Sequence, residues 1–184
     1  MRASDIRKGQ AVIMDGKLFV VTGADHNTPG NLRAKVQFKL RDVLKGTIQD
    51  KRVGATDDIE TTNLDSRQVE YLYSDNEGHV LMDLETYDQN TIPKEVFGSD
   101  ILYLKPNTQL KALFHNGKIV SYEMPATVDL KVTDTPPVIK GATATNQLKE
   151  ATLETGLTTR VPGFIVIGET IRVSTDGGGY QSRA

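Results

Sequence analysis

Cysteine occurs nowhere in the 184 residues, which removes a disulfide framework, a thiolate metal site and a thiol nucleophile together. Histidine occurs three times, at His26, His79 and His115, without the spacing of a zinc-ligand set, so no metal or cofactor is expected. No run of about 18 apolar residues is present. The segment Met1-Arg2-Ala3-Ser4-Asp5 lacks the basic-then-apolar pattern of a secretory signal, and the expectation is a cytoplasmic protein without membrane attachment. Net charge is small as well, −2 overall, which argues against strong general affinity for nucleic acid. What is present is the balance of an ordinary folded chain, 38% hydrophobic and 25% charged.

The small net charge hides a division. Residues 1–64 carry +3, residues 65–126 carry −5 and residues 127–184 carry 0. A basic first part beside an acidic middle points to a polyanionic partner near one end of the molecule.

Strand signals dominate. Ala11 to Met14 and Leu18 to Val21 flank Asp15-Gly16-Lys17, a hairpin. Ala34 to Arg41 alternates strictly, with Val36, Phe38 and Leu40 on a core face and Lys35, Gln37, Lys39 and Arg41 on a wet, basic one. Val69 to Tyr73 and His79 to Leu84 flank Asn76-Glu77-Gly78, and Leu110 to Phe114 and Ile119 to Tyr122 flank a turn containing Asn116-Gly117. One short helix is predicted, with Thr91 as N-cap, Pro93 in its first turn and Gly98 as its stop. Residues 134–151 hold few apolar side chains and read as a long exposed loop. Boundaries near Asn63-Leu64-Asp65 and Pro125-Ala126-Thr127 give three modules, 1–64, 65–126 and 127–184. A module of that size buries only about 60% of its unfolded surface, so neighbours should lean on one another.

Candidates for chemistry fail one by one. Asp83 and Glu85 could pair at strand spacing, but such carboxylates read as a solvated face. His79 and His115 stand beside turns, where a surface imidazole is ordinary. Gly177-Gly178-Gly179 precedes no helix, so it lacks the N-terminus that lets glycine loops hold phosphate and reads as a flexible hairpin turn. Nothing assembles nucleophile, base and oxyanion donor, and the chain is not expected to be an enzyme.

The informative segment runs from Asp25 to Ala34. Pro29-Gly30 suits the central positions of a type II turn, since proline fixes φ near −65° and glycine accepts the positive φ that follows. Asn31 is then presented at the turn exit. His26 to Arg41 holds four Lys/Arg and no acidic residue. Aromatics are few here, which favours contacts to an RNA backbone over base stacking.

With these motifs the chain resembles the bacterial translation elongation factor P family, elongation-factor-P-like paralogues included. The resemblance is carried by Asp15-Gly16, Pro29-Gly30 and Lys39-Leu40-Arg41. It continues through Tyr71-Leu72-Tyr73, Val80-Leu81-Met82-Asp83, Met124-Pro125 and Ile139-Lys140-Gly141, and then through Lys149 to Leu157, Val161-Pro162 and Tyr180 to Ala184. It implies an all-β fold of three small barrels in tandem, an SH3-like (KOW-type) barrel and two OB-folds, L-shaped in outline and mimicking tRNA. It also implies a monomer bound to the 70S ribosome and ribosomal RNA beside peptidyl-tRNA, between the peptidyl and exit sites, promoting peptide-bond formation on stalling sequences such as consecutive prolines.

The tip Pro29, Gly30, Asn31 and Arg33 would face peptidyl-tRNA, and Lys35, Lys39, Arg41, Tyr180 and Arg183 would contact RNA. The loop Gly141, Ala142, Thr143 and Ala144 would lie on the mRNA side. Two positions depart from the family pattern. Asn31 stands where many relatives carry a modified lysine, leaving Arg33 as the basic side chain near the tip, and Gly141-Ala142-Thr143-Ala144 stands where a Gly-Asp-Thr-Ala loop is common. The alternative is an OB-fold protein binding single-stranded RNA or DNA away from the ribosome.

Overall fold

A computed structural model describes residues 1–30, 33–138 and 147–184. It is all-β: three antiparallel five-stranded sheets follow one another along the chain, each over its own apolar core. The first sheet comprises β1 (Ala11–Met14), β2 (Lys17–Asn27), β3 (Lys35–Asp42), β4 (Ile48–Gly54) and β5 (Glu60–Thr62), in the order β4-β3-β2-β1-β5. The second comprises β6 (Asp65–Ser74), β7 (His79–Asp83), β8 (Gln89–Ile92), β9 (Gln109–His115) and β10 (Lys118–Glu123), in the order β10-β9-β6-β7-β8. The third comprises β11 (Thr127–Asp134), β12 (Leu148–Leu153), β13 (Thr158–Pro162), β14 (Thr170–Ser174) and β15 (Tyr180–Arg183), in the order β13-β12-β11-β14-β15.

The hairpins form where turn chemistry demands them. Asp15 and Gly16 have φ of 52° and 73°, and Asn116 and Gly117 have 50° and 76°. Two successive positive-φ residues mark the type I′ turn, whose twist matches the strands it joins. On β3 the alternation is realised in full: Val36, Phe38 and Leu40 are all buried beneath the first sheet, while Lys35 and Lys39 are exposed.

Two expectations need correction. Helix α1 (Lys94–Phe97) starts from Pro93 in extended conformation, with no side-chain cap. Thr91 instead lies in β8 opposite Val80, because sheet pairing satisfies its backbone better than a cap could. Gly98, at φ 52°, does end the helix, and a 3₁₀ segment (Gly98–Tyr103) follows. The loop expected over 134–151 closes sooner, since β12 begins at Leu148 and buries Ala151. Thr135 is also buried and donates its hydroxyl to the carbonyl of Glu150 at 2.9 Å.

Specific side chains join the modules, Thr62 and His115 among them at 3.4 Å. Leu102 and Tyr103 of the 3₁₀ segment pack against the third core. Arg41 on β3 lies over the ring of Tyr122 on β10, 5.7 Å from its centroid.

Gly78 opens β7 where a Cβ would come within 2.1 Å of the Ile92 carbonyl oxygen. Backbone cannot yield to that contact, so Gly78→Ala should lower the unfolding free energy by about 3 kcal/mol. Gly117 has open space around it, and Gly117→Ala should lose only about 1 kcal/mol through its positive φ. Urea denaturation of both variants tests the ranking.

Candidate nucleic-acid interface

The tip is the exit of the longest strand of the first sheet. β2 runs to Asn27, and Thr28, Pro29 and Gly30 then turn outward, fully exposed. Gly30 has φ 43° and empty space around a would-be Cβ, so backbone conformation and not packing demands glycine there. Asn31 lies outside the described residues. Arg33 is exposed on the return.

Register decides what the basic strand presents. Across β2, β3 and β4 the outward rows are Asn27, Lys35 and Gly54; Asp25, Gln37 and Arg52; Gly23, Lys39 and Asp50; and Val20, Arg41 and Ile48. The strip expected from Lys35, Lys39 and Arg41 is therefore not uniform. Lys35 is exposed at the tip end. Lys39 faces Asp50 across the ladder and lies over Gly23, whose missing side chain would otherwise meet it at 3.6 Å. Arg41 is half-buried, turned toward Tyr122 and the second module. The cations of the strip gather near the tip, where Arg52 of β4 joins Arg33 and Lys35 around one cavity. Arg52 escapes sequence reading because Ile48–Gly54 shows no apolar alternation; only its register against Gln37 places it there.

In the third module, Tyr180 is half-buried against the core. Arg183 is exposed, but its guanidinium stacks over Phe164 at 4.8 Å and pairs with Glu169 at 3.2 Å. The structure thus brings Tyr180 and Arg183 onto one strand at the edge of the third sheet. Gly141, Ala142, Thr143 and Ala144 lie outside the described residues.

Two side chains read as surface groups are internal. Asp83 is 1% exposed. It accepts the backbone N–H groups of Glu85 and Thr86 and a hydrogen bond from Arg67 at 3.0 Å. Burial pushes its carboxyl up, but these donors outweigh that and hold it below the usual carboxylate value. It pins the turn after β7 and is no solvated partner of Glu85. His79 is 5% exposed, wedged between Tyr71 and Phe97. Its Nδ1 shares a hydrogen bond with the Ser74 hydroxyl at 2.6 Å, and that hydroxyl shares another with Tyr71. The Gly177-Gly178-Gly179 turn is likewise fixed: Thr159 donates to the Gly178 carbonyl at 2.6 Å, and a Cβ on Gly178 would sit 2.9 Å from the Tyr103 hydroxyl. Among the described residues no three His, Asp or Glu side chains gather as metal ligands, and no helix is long and apolar enough to cross a membrane.

Three family models match in order: the elongation factor P KOW-like domain over residues 2–59, the elongation factor P OB domain over 64–122 and the elongation factor P C-terminal domain over 128–183. The chain belongs to the elongation factor P family. Elongation factor P of Carboxydothermus hydrogenoformans is 41% identical over 98% of this chain and 97% of its own length. That of Acidobacterium capsulatum is 41% identical over 99% and 98%, and elongation factor P 1 of Lactobacillus johnsonii is 37% identical over 100% and 97%. The solved structure of translation initiation factor 5A from Methanococcus jannaschii covers 66% of this chain and 94% of its own, with 19% identity and a TM-score of 0.43. Within an elongation factor P chain, the three sheets are the three family domains, and the tip belongs to the KOW-like one.

His79 supplies a pH test of the second domain. Burial, then the charge of Lys94, lowers its pKa below the usual 6.5. As pH falls through that value, the unfolded chain takes up a proton that the folded chain refuses. Stability should therefore fall below about pH 6.5 and level off under the folded value. Urea midpoints measured across this window should show the decline, and His79→Gln should flatten it.

Proposed function

We propose that this elongation factor P family member binds the 70S ribosome as a cytoplasmic monomer, beside peptidyl-tRNA and ribosomal RNA between the peptidyl and exit sites. There it promotes peptide-bond formation on stalling sequences such as consecutive prolines. The observation that carries this reading is the ordered match of all three family domains, which leaves almost no part of the chain for another architecture. Module borders after residues 64 and 126 belong to the same reading.

Such a factor needs no reactive group. The ribosome holds the reacting atoms, and a rigid protein that orients peptidyl-tRNA lowers the entropic barrier. Pro29, Gly30, Asn31 and Arg33 face the peptidyl end, Lys35 and Lys39 meet RNA phosphates, and Tyr180 and Arg183 face tRNA from the third domain. Gly141 to Ala144 face the mRNA side without an acidic contact. Asn31 cannot receive a lysine extension, so the tip works through its backbone, Asn31 and Arg33. Arg41 acts indirectly, since its stacking on Tyr122 holds the first domain against the second.

Gly30→Val should strain the exposed turn by about 1 to 3 kcal/mol while the fold survives. Arg33→Ala leaves the turn intact and removes only a charge and a hydrogen-bonding fork. Both variants should pellet with 70S particles yet lose stimulation on a proline-rich template in reconstituted translation, by roughly ten- to a hundredfold. Full stimulation by Arg33→Ala alone would assign the tip to backbone or Asn31, and full stimulation by both would remove the tip from the mechanism. A chain that binds oligonucleotides but never pellets with ribosomes would establish the off-ribosome alternative.

A further inference from the structure

A cavity of about 560 Å³ lies between the first and second domains, with Val20, Val21 and Arg41 on one side and Asp100, Leu113 and Ser121 on the other. β10 carries one extra residue there, Val120, since Ile119 pairs with Phe114 and Ser121 with Leu113. Such a bulge re-aims the side chains that follow it. Ser121 and Leu113, paired across the ladder, share one face of the sheet and both line the cavity. Ser121 is only 6% exposed, yet among the described residues its hydroxyl makes no hydrogen bond and is not sealed from solvent. A hydroxyl so placed is satisfied only by what the cavity admits.

Two charges face the same space. Arg41 is half-buried and, among the described residues, in no ion pair. Asp100 accepts the Tyr122 hydroxyl with Oδ2 at 2.7 Å, and its Oδ1 has no partner among the described residues. Both stand against one tyrosine, the guanidinium 5.7 Å from its ring centroid, without pairing with each other. Lys8 and Glu123, also on the lining, add one charge of each sign and leave the balance unchanged. Val20, Val21 and Leu113 complete the wall with aliphatic carbon.

We propose that this cavity binds a small zwitterion, an α-amino acid with an aliphatic side chain. The ligand's carboxylate takes the Arg41 fork and the Ser121 hydroxyl, its ammonium takes the open oxygen of Asp100, and its side chain lies against Val20, Val21 and Leu113. A simple anion would meet Asp100 and Glu123, and a simple cation would meet Arg41 and Lys8; a molecule carrying both charges suits both walls. Charge-assisted hydrogen bonds at each end orient it. The volume falls within the range of small-molecule sites, which favour domain interfaces. Arg41 belongs to one domain and Ser121 and Asp100 to the other, so the bound ligand bridges them. The inference stands on the cavity and does not depend on the ribosomal reading above.

The test is a titration of the full, isotope-labelled chain with L-leucine, followed through its backbone amide NMR shifts. Saturable shifts should cluster at Val21, Arg41, Leu113 and Ser121, with a Kd of about 1 mM for so small a ligand. 4-Methylpentanoate, which lacks the ammonium, and L-leucinamide, which lacks the carboxylate, should each bind at least about tenfold more weakly. Ser121→Ala should weaken L-leucine binding about three- to tenfold, and Arg41→Gln at least as much. Since Arg41→Gln also removes a contact between the domains, Ser121→Ala decides. Ser182→Ala, which removes an exposed hydroxyl of β15, should leave binding unchanged. The proposal is overturned if no saturable shift appears up to about 20 mM L-leucine, if the shifts lie away from the cavity, if either half-ligand binds as tightly, or if Ser121→Ala binds with wild-type affinity. None of these outcomes bears on pelleting with 70S particles, so the ribosomal reading stands or falls separately.

Discussion

The ring of Tyr122 leaves the second sheet with its centroid 4.2 Å from that of Phe97 and the guanidinium of Arg41 5.7 Å above it. Its hydroxyl donates to Asp100 at 2.7 Å. A phenol in such a place needs that acceptor, because an unpartnered buried hydroxyl is unfavourable. Burial, followed by the bond to Asp100, raises the phenol's pKa, so it remains a donor at any physiological pH. The cavity beside it, about 560 Å³ and edged by Lys8, Thr22, Arg41, Asp100 and Ser121, shows that the two domains do not close on each other as a continuous core. Groups centred on Tyr122, with Thr62 and His115 at 3.4 Å, therefore join the first domain to the second.

The second junction is built differently. Leu102 and Tyr103 insert into the apolar cluster of the third domain, so here a core is shared. Thr155 donates to the Leu102 carbonyl, and Lys105 pairs with Glu154 at 3.6 Å. The ion pair is partly solvated and contributes little by itself; the buried aliphatic and aromatic carbon decides the contact. Tyr103 also explains the middle glycine of the triplet, since a side chain on Gly178 would strike its hydroxyl. A turn that looks permissive in sequence is thus fitted to its neighbour at one of its three glycines.

What the sequence made legible was whatever rests on local chemistry. Asp15-Gly16 and Asn116-Gly117 need positive φ twice in succession and found it, and the period-two pattern of β3 placed Val36, Phe38 and Leu40 inside. What was hidden depends on partners distant in the chain. His79 and Asp83 look like surface groups until the fold supplies Phe97 for one and Arg67 for the other. Thr91 has the chemistry of a cap, yet strand pairing with Val80 takes its backbone. Arg41 reads as one more cation of a basic ribbon, and only the neighbouring domain makes it a packing residue. Arg52 needed the register of β4 against β3, which no pattern within Ile48–Gly54 announces.

The same distinction bears on the charge division along the chain. The acidic middle does not present its −5 as a uniform field, because several of its carboxylates are engaged by donors of their own domain. Asp83 is buried on Arg67 and on backbone N–H groups, Asp65 pairs with the same arginine at 2.7 Å, Asp100 takes the Tyr122 proton donor, and Asp75 accepts the N–H groups of Glu77 and Gly78. In the first domain the reverse holds near the tip, where Arg33, Lys35 and Arg52 line one cavity and, among the described residues, none of the three is in an ion pair. Screening confines such fields to about 8 Å at physiological ionic strength. Local arrangement therefore outweighs the totals: the +3 of residues 1–64 is a sum over cations and carboxylates along the whole segment, and says less about its surface than the grouping of Arg33, Lys35 and Arg52 around one cavity.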